Sequence, residues 1–323
     1  MPNARMLEAL NAEISSLRYG EQPPELYDPI RYLMALGGKR MRPLLTLLSS
    51  AMFTPDWQPF VRPALAVEVF HNFTLMHDDI MDAAPLRRGQ PTVHVKWNQN
   101  VAILSGDVML VCAYTLLSDI PDGQLRTVLK KFNRCAAEVC EGQQLDMNFE
   151  TRTDVQEAEY LDMIRLKTAV LLGFSLEFGG LLAGADEHNT RLLYEAGESI
   201  GIGFQLKDDL LDVFGDQAKF GKQVGGDIIA NKKTFLLIKA LQLAGGEQKR
   251  QLDGWLGAKT FDPQEKIRAV TGIYNALEID RITEARMNEY FALGLTCLDQ
   301  VTAPPERKAP LRDFVEKLIY REN

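Results

Sequence analysis

Two aspartate clusters in this 323-residue chain share one spacing: His77-Asp78-Asp79-Ile80-Met81-Asp82 and Lys207-Asp208-Asp209-Leu210-Leu211-Asp212. Both read D-D-x-x-D. On a helix, residues i and i+4 share a face and stand about 6 Å apart along the axis, which aligns Asp78 with Asp82 and Asp208 with Asp212. Like charges at that spacing destabilise a helix, and carboxylates near its C-terminus also oppose the macrodipole. A single cluster of this kind reads as a solvated helix end. Two, each behind an apolar helical stretch, point to a compensating cation. Carboxylate oxygens suit a hard ion, and Mg²⁺ typically takes one or two of them and completes its shell with water and substrate phosphates. A di-iron bundle would need glutamates and two E-x-x-H motifs; the chain offers one, Glu68 to His71.

Basic residues recur beside the acidic ones. Gly37-Gly38-Lys39-Arg40-Met41-Arg42-Pro43 is a glycine turn, a basic cluster and then an apolar run, with Pro43 suited to a first helical position. A helix start flanked by Lys and Arg is a natural diphosphate site. Arg87-Arg88-Gly89 follows the first acidic cluster, Lys167-Thr168 lies in a helical block, Lys222 sits beyond the second cluster, and Lys232-Lys233-Thr234 opens another helix. Any one of these reads by itself as a surface charge. Their recurrence gives a coherent chemistry in which carboxylates bind Mg²⁺, Mg²⁺ binds diphosphate, and Lys and Arg neutralise the remaining oxygens.

The elements that must position these residues are helical. Pro63 to Met76, Tyr160 to Leu182, Leu192 to Val213 and Asn231 to Ala244 carry apolar residues at helical offsets, and alternating runs are scarce. Breaks fall at Thr54-Pro55-Asp56, Pro121-Asp122-Gly123 and Thr302 to Pro310. Phe214 to Asp227, polar and glycine-rich, reads as a functional loop. A last helix is expected from about Leu311 to Arg321. No strong linker divides the chain, so a single all-α domain over 1–323, an enlarged helical bundle, is expected.

The composition is 46% hydrophobic and 25% charged, ordinary for a globular protein with a sizeable core. A net charge of −8 argues against a nucleic-acid partner. The N-terminus lacks the continuous apolar core of a signal peptide. Ala169 to Ala185 is the most apolar stretch, but Glu177 and glycines break it, so a buried core helix is expected and no transmembrane segment. Cys112, Cys135, Cys140 and Cys297 show no C-x-x-C spacing and read as reduced, buried thiols of a cytoplasmic protein.

From Gly37-Gly38-Lys39-Arg40 through Lys232 the motifs, in this order, resemble the trans-prenyl diphosphate synthase (polyprenyl synthetase) family. His71, Asp78 to Asp82, Arg87-Arg88-Gly89, Lys167-Thr168 and Phe204-Gln205 to Asp212 carry the match. The resemblance implies an all-α isoprenoid synthase fold around a deep central cavity, a homodimer, and Mg²⁺, three ions per active site. It implies that Asp78, Asp82 and Asp208 ligate Mg²⁺ bridging an allylic diphosphate, with Asp79, Asp209 and Asp212 as outer-shell or additional ligands. Arg87, Lys167, Lys222 and Lys232 are implied to grip that diphosphate. Lys39, Arg42, His71 and Arg88 are implied to bind isopentenyl diphosphate, and Gln205 and Thr168 to line the reacting centre. His71 by itself would read as a core histidine.

The implied reaction joins isopentenyl diphosphate to an allylic diphosphate. Metal and basic residues stabilise the departing pyrophosphate, the double bond attacks the allylic cation, and the released pyrophosphate takes the proton. Product length should be read along the helix of the first cluster, where a turn of about 5.4 Å is near one isoprene unit. Phe73 sits five residues before Asp78, Thr74 four, and Phe70 a turn further down. One aromatic at the fifth position and no insertion in the cluster resemble C20 synthases, so geranylgeranyl diphosphate is expected, with farnesyl diphosphate as the alternative. The alternative is that Phe70 and Phe73 are only core packing and that the floor comes from other helices, for example at Met109 or Cys112. A terpene cyclase is disfavoured by the second D-D-x-x-D, and a non-catalytic partner subunit by the intact acidic motifs.

Overall fold

The computed structural model describes residues 2–215 and 225–320. Among them the only strands are a two-residue pair, and the fold is all-α. The helices run α1 Pro2–Ser16, α2 Pro24–Ala35, α3 Met41–Ala51 and α4 Val61–Met81. The hairpin β1 Leu86–Arg87 and β2 Gln90–Pro91 follows, then α5 Val93–Lys96, α6 Gln99–Ser118, α7 Asp122–Thr151 and α8 Glu157–Ile164. Next come α9 Val170–Leu182, α10 Glu187–Phe214, α11 Gly226–Ile229 and α12 Phe235–Leu243. The last four are α13 Gly246–Gly257, α14 Pro263–Ala276, α15 Ile279–Gln300 and α16 Pro305–Tyr320.

Local chemistry fixes several starts. The Asn98 side chain accepts from Val101 N at α6, Thr234 from Leu237 N at α12, and Asp262 from Glu265 N at α14, each satisfying an otherwise unpaired first-turn N–H. At α8 the Glu159 carboxylate reaches back to the Gln156 N–H at 2.9 Å.

Several boundaries differ from the sequence reading. Pro43 is the third residue of α3, not the first; it fits there because no first-turn N–H has an intrahelical partner. The block Tyr160 to Leu182 is two α-helices joined by a π-helical turn, Arg165–Ala169. The last helix starts at Pro305, six residues earlier than expected, and carries Pro310 inside. Pro310 lies in the second turn, close enough to the start that few backbone bonds are lost. Phe214 ends α10 and does not open the loop, and residues 216–224 with Lys222 lie outside the described residues. The cysteines are free thiols, but Cys140 is exposed and Cys112 only partly buried. Within the Ala169 to Ala185 stretch, α9 Val170–Leu182 is the expected buried core helix, with Ala169 in the π turn before it and Ala183 to Ala185 beyond its end.

The chain forms two compact units. The first holds Met1–Arg134, Phe174–Tyr194 and Gln300–Asp313; the second holds Cys135–Gly173, Glu195–Asp299 and Phe314–Asn323. In the first, α4 is buried on most of its circumference, and α6 runs along it. At Gly106 on α6 a Cβ would stand 2.3 Å from His77 Nε2, so only glycine permits this approach. His77 Nε2 lies 3.1 Å from the Ile103 carbonyl. The rings of Phe73, Phe70, Phe132, Phe174 and Phe178 follow one another at centroid separations of 5.1 to 5.6 Å.

By length and composition α6 could cross a membrane. Here one face packs on α4 and α2, while the other leaves Ile103, Leu104 and Val111 exposed, the last by 62%. In the second unit one core gathers Tyr160, Ile202, Leu206 and Phe235, and another gathers Leu210, Leu237, Val270 and Tyr274. Lys266 is fully buried beside the second, donating to Ile229 O at 3.1 Å and Asn231 Oδ1 at 2.6 Å.

Candidate active site

In the first unit the acidic cluster ends α4, with Asp82 as its C-cap. Asp78 is half-buried, Asp82 exposed, and Asp79 buried. Asp79 accepts two contacts from Arg87 Nε, at 2.9 and 2.8 Å, and pairs with Nη2 at 2.7 Å. Arg87 Nη2 is also 3.6 Å from Asp78 Oδ2. Burial raises the Asp79 carboxyl above its usual range, and the Arg87 guanidinium works against that rise. Two residues implied to serve metal and phosphate thus neutralise each other.

The hairpin orients the arginines. Arg88 and Gly89, its two turn residues, both have positive φ, as a two-residue type I′ loop requires. The Arg88 guanidinium donates to the Gly37 carbonyl. A Cβ on Gly38 would stand 2.9 Å from Arg88 Nη2, the movable end of a long side chain, so it is the φ of 141° that requires glycine here. His71, about two helical turns before Asp78, is held well below its usual pKa by burial and then by Arg42, Arg88, Arg87 and Arg40. The imidazole is therefore neutral at neutral pH. The structure brings Arg42, His71, Arg87 and Arg88 into one electrostatic neighbourhood, and Lys39 is exposed two residues after Gly37.

In the second unit the other cluster lies in the last two turns of α10. Asp209 is buried like Asp79, while the outer pair is reversed: the leading Asp208 is exposed and the trailing Asp212 half-buried. Asp209 accepts from Tyr160 OH and, at 3.3 Å, from Gln205 Nε2. Gln205 Oε1 accepts from Thr168 Oγ1 at 3.2 Å. In each cluster the protein itself holds the middle carboxylate, and the outer pair faces solvent more. Lys167 and Thr168 lie on the π turn, a backbone irregularity that re-aims side chains and recurs at functional sites. Lys167 Nζ pairs with Asp146 Oδ2 at 2.7 Å.

Asp212 Oδ2 accepts from Asp227 N at 3.0 Å, and Lys232 N donates to Asp227 O at 2.9 Å. Asp146, Tyr160 and Asp227 escaped the sequence reading. Asp227 alone carried a signal, its place after Gly225-Gly226.

The donor chemistry fits Mg²⁺. Burial lifts Asp209 to about 7, and burial with Asp212 and Asp208 lifts Asp227 to about 6, so crowded carboxylates repel each other where a cation would relieve them. Among the described residues no three His, Cys, Asp or Glu side chains converge as a self-sufficient metal site.

Residues 23–274 match the family model for polyprenyl synthetase. A geranylgeranyl diphosphate synthase from Methanosarcina mazei is 42% identical over 316 residues, 97% of this chain and 95% of that protein. A geranylfarnesyl diphosphate synthase from Natronomonas pharaonis is 36% identical over 336 residues, 98% of this chain and 96% of that protein. A crystal structure of a geranylgeranyl pyrophosphate synthase has a TM-score of 0.92 at 43% identity, covering 99% of this chain and 98% of its own. The match spans nearly all of the chain, both acidic clusters and their basic neighbours, and the chain belongs to the polyprenyl synthetase family.

Proposed function

We propose that this chain condenses isopentenyl diphosphate with an allylic diphosphate of C5 to C15, releases pyrophosphate, and stops at geranylgeranyl diphosphate. The observation that carries the reading is the repeated acidic cluster, each copy at a helix end with its middle aspartate held by protein and basic residues nearby. Relatives named for C20 products support the length. A C25 product is the second reading, favoured by the relative named for geranylfarnesyl diphosphate. The two units are proposed to work as one polyprenyl synthetase domain.

Asp78 and Asp82 in the first unit, and Asp208 in the second, would hold Mg²⁺, three ions per site. When bound, the metal supplies positive charge that stabilises pyrophosphate as it departs. Asp79 and Asp209 act from the outer shell by fixing neighbours, and Asp212 by orienting Asp227. Arg42, Lys39, His71 and Arg88 bind isopentenyl diphosphate; a neutral His71 donates one N–H without adding charge. Arg87, Lys167, Lys222 and Lys232 neutralise the allylic diphosphate, while Thr168 and Gln205 orient the reacting end. No side chain acts as nucleophile or general base.

The exposed α6 face of Ile103, Leu104 and Val111 supports a homodimer. A cytoplasmic location and no nucleic-acid partner complete the proposal. The test is pyrophosphate release from farnesyl diphosphate with isopentenyl diphosphate, with and without EDTA, and chromatography of dephosphorylated products. Metal-independent release would refute the reading, and release without isopentenyl diphosphate would move it to a cyclase.

A further inference from the structure

Arg40 stands inside the basic cluster Lys39 to Arg42 yet is buried in an ion pair. It is 6% exposed, and its Nη1 lies 2.6 Å from Glu68 Oε1 on α4, while Nη2 donates to Met34 O in the last turn of α2 at 2.7 Å. Glu68 is 3% exposed and is held in turn by Asn72 Nδ2, which donates to Glu68 Oε1 at 3.2 Å and to Glu68 O at 2.8 Å. The Arg40 backbone has φ 47° and ψ 36°, a left-handed conformation that non-glycine residues adopt rarely and at a cost. Arg40 is also the N-cap of α3.

A buried ion pair contributes little net stability, because desolvation offsets the attraction; apolar residues of like volume often serve as well or better. The geometry gives this pair another task. The left-handed residue links Gly38 to α3, and the two-pronged guanidinium ties it to the last turn of α2 and to the middle of α4. Lys39 precedes it by one residue, Arg42 follows by two, and His71 sits three residues beyond Glu68 on α4.

We infer that Arg40 and Glu68 are a positioning pair: their buried contact holds the left-handed backbone at Arg40 so that Lys39 and Arg42 meet the diphosphate of isopentenyl diphosphate opposite His71 and Arg88. This rests on the reading of Lys39, Arg42, His71 and Arg88 as that substrate's site. The pair carries no net charge, so it sets where the cradle's cations stand without adding to their charge.

The test compares the double variant Arg40→Met/Glu68→Leu, which leaves no buried charge unpaired, with Arg42→Ala and the natural enzyme, each with Mg²⁺. Expected for the double variant is a KM for isopentenyl diphosphate raised about tenfold, equivalent to about 1.4 kcal/mol of binding. The KM for the allylic diphosphate should stay within about twofold, and the thermal midpoint should not fall. A structural role alone would lower the midpoint or move both KM values together. If Arg42→Ala raises the isopentenyl diphosphate KM while the folded double variant does not, the positioning role is overturned. If neither changes it, the site reading itself fails and the inference falls with it. Arg40→Lys gives a second check, since one ammonium cannot hold Glu68 and Met34 O in the same fork. A wild-type KM in that variant would also overturn the inference.

Discussion

Gly142→Ala sets two known effects against each other at the lysine predicted to grip the allylic diphosphate. Gly142 lies within α7, where alanine is better than glycine by about 0.8–1 kcal/mol. Its Cβ, however, would stand 2.2 Å from Lys167 N, 2.6 Å from Lys167 Cα and 2.7 Å from Leu166 C. All three are backbone atoms of the π turn, so no side chain can swing aside. Reaching even the 3.4 Å of ordinary contact requires α7 and the turn to part by about 1 Å, and a shift of that size at a catalytic group can cost on the order of 100-fold in rate. Overpacking of this kind costs about 1–3 kcal/mol, and rigid neighbours place it at the upper end, so about 2 kcal/mol of net destabilisation remains. Gly254→Ala in α13 is the control: nothing lies within 4 Å of its Cβ, and it should stabilise by up to about 1 kcal/mol. Urea unfolding of the two variants should therefore differ by about 3 kcal/mol. Gly142→Ala should also lose turnover, because Lys167 moves off Asp146. A Gly142→Ala protein as stable and as active as Gly254→Ala would refute the argument.

Phe73→Ala should give products longer than the natural one by chromatography of the alcohols, because Phe73 is half-buried between Phe70 and His77; an unchanged product would remove it as the floor. Phe70→Ala is a poorer probe, since that fully buried ring should cost about 3–5 kcal/mol of stability, seen as a lower urea midpoint. His71 has a folded pKa below its unfolded value near 6.5, so its contribution to stability is present above pH 6.5 and is lost as pH falls through the depressed value. His71→Gln should flatten that acid-side slope in urea titrations, and an unaltered slope would count against a neutral imidazole. Leu104→Glu with Val111→Glu should halve the mass measured by sedimentation; a wild type that already sediments as a monomer would exclude the α6 interface.

The sequence by itself determined the class of chemistry and the class of fold. Helical periodicity places Asp78 with Asp82 and Asp208 with Asp212, because i and i+4 share a face in any helix, and most helices lie near where the pattern puts them, although the helix expected from Asn231 starts only at Phe235 after its Thr234 cap. The order of the basic motifs carried the family. What tertiary structure decided is which of those residues look outward. Arg40 and Arg42 are two apart in one cluster, yet Arg40, with its left-handed backbone, is buried on Glu68. Asp79 and Asp209 sit in the middle of their motifs, but their burial against Arg87 and Tyr160 depends on a hairpin and a helix distant in sequence. Asp146 reaches Lys167 across 21 residues through a π turn, a register no periodicity encodes. Spacing along one helix is a local property and is written in the chain; pairing between helices depends on packing, which every other side chain helps to set.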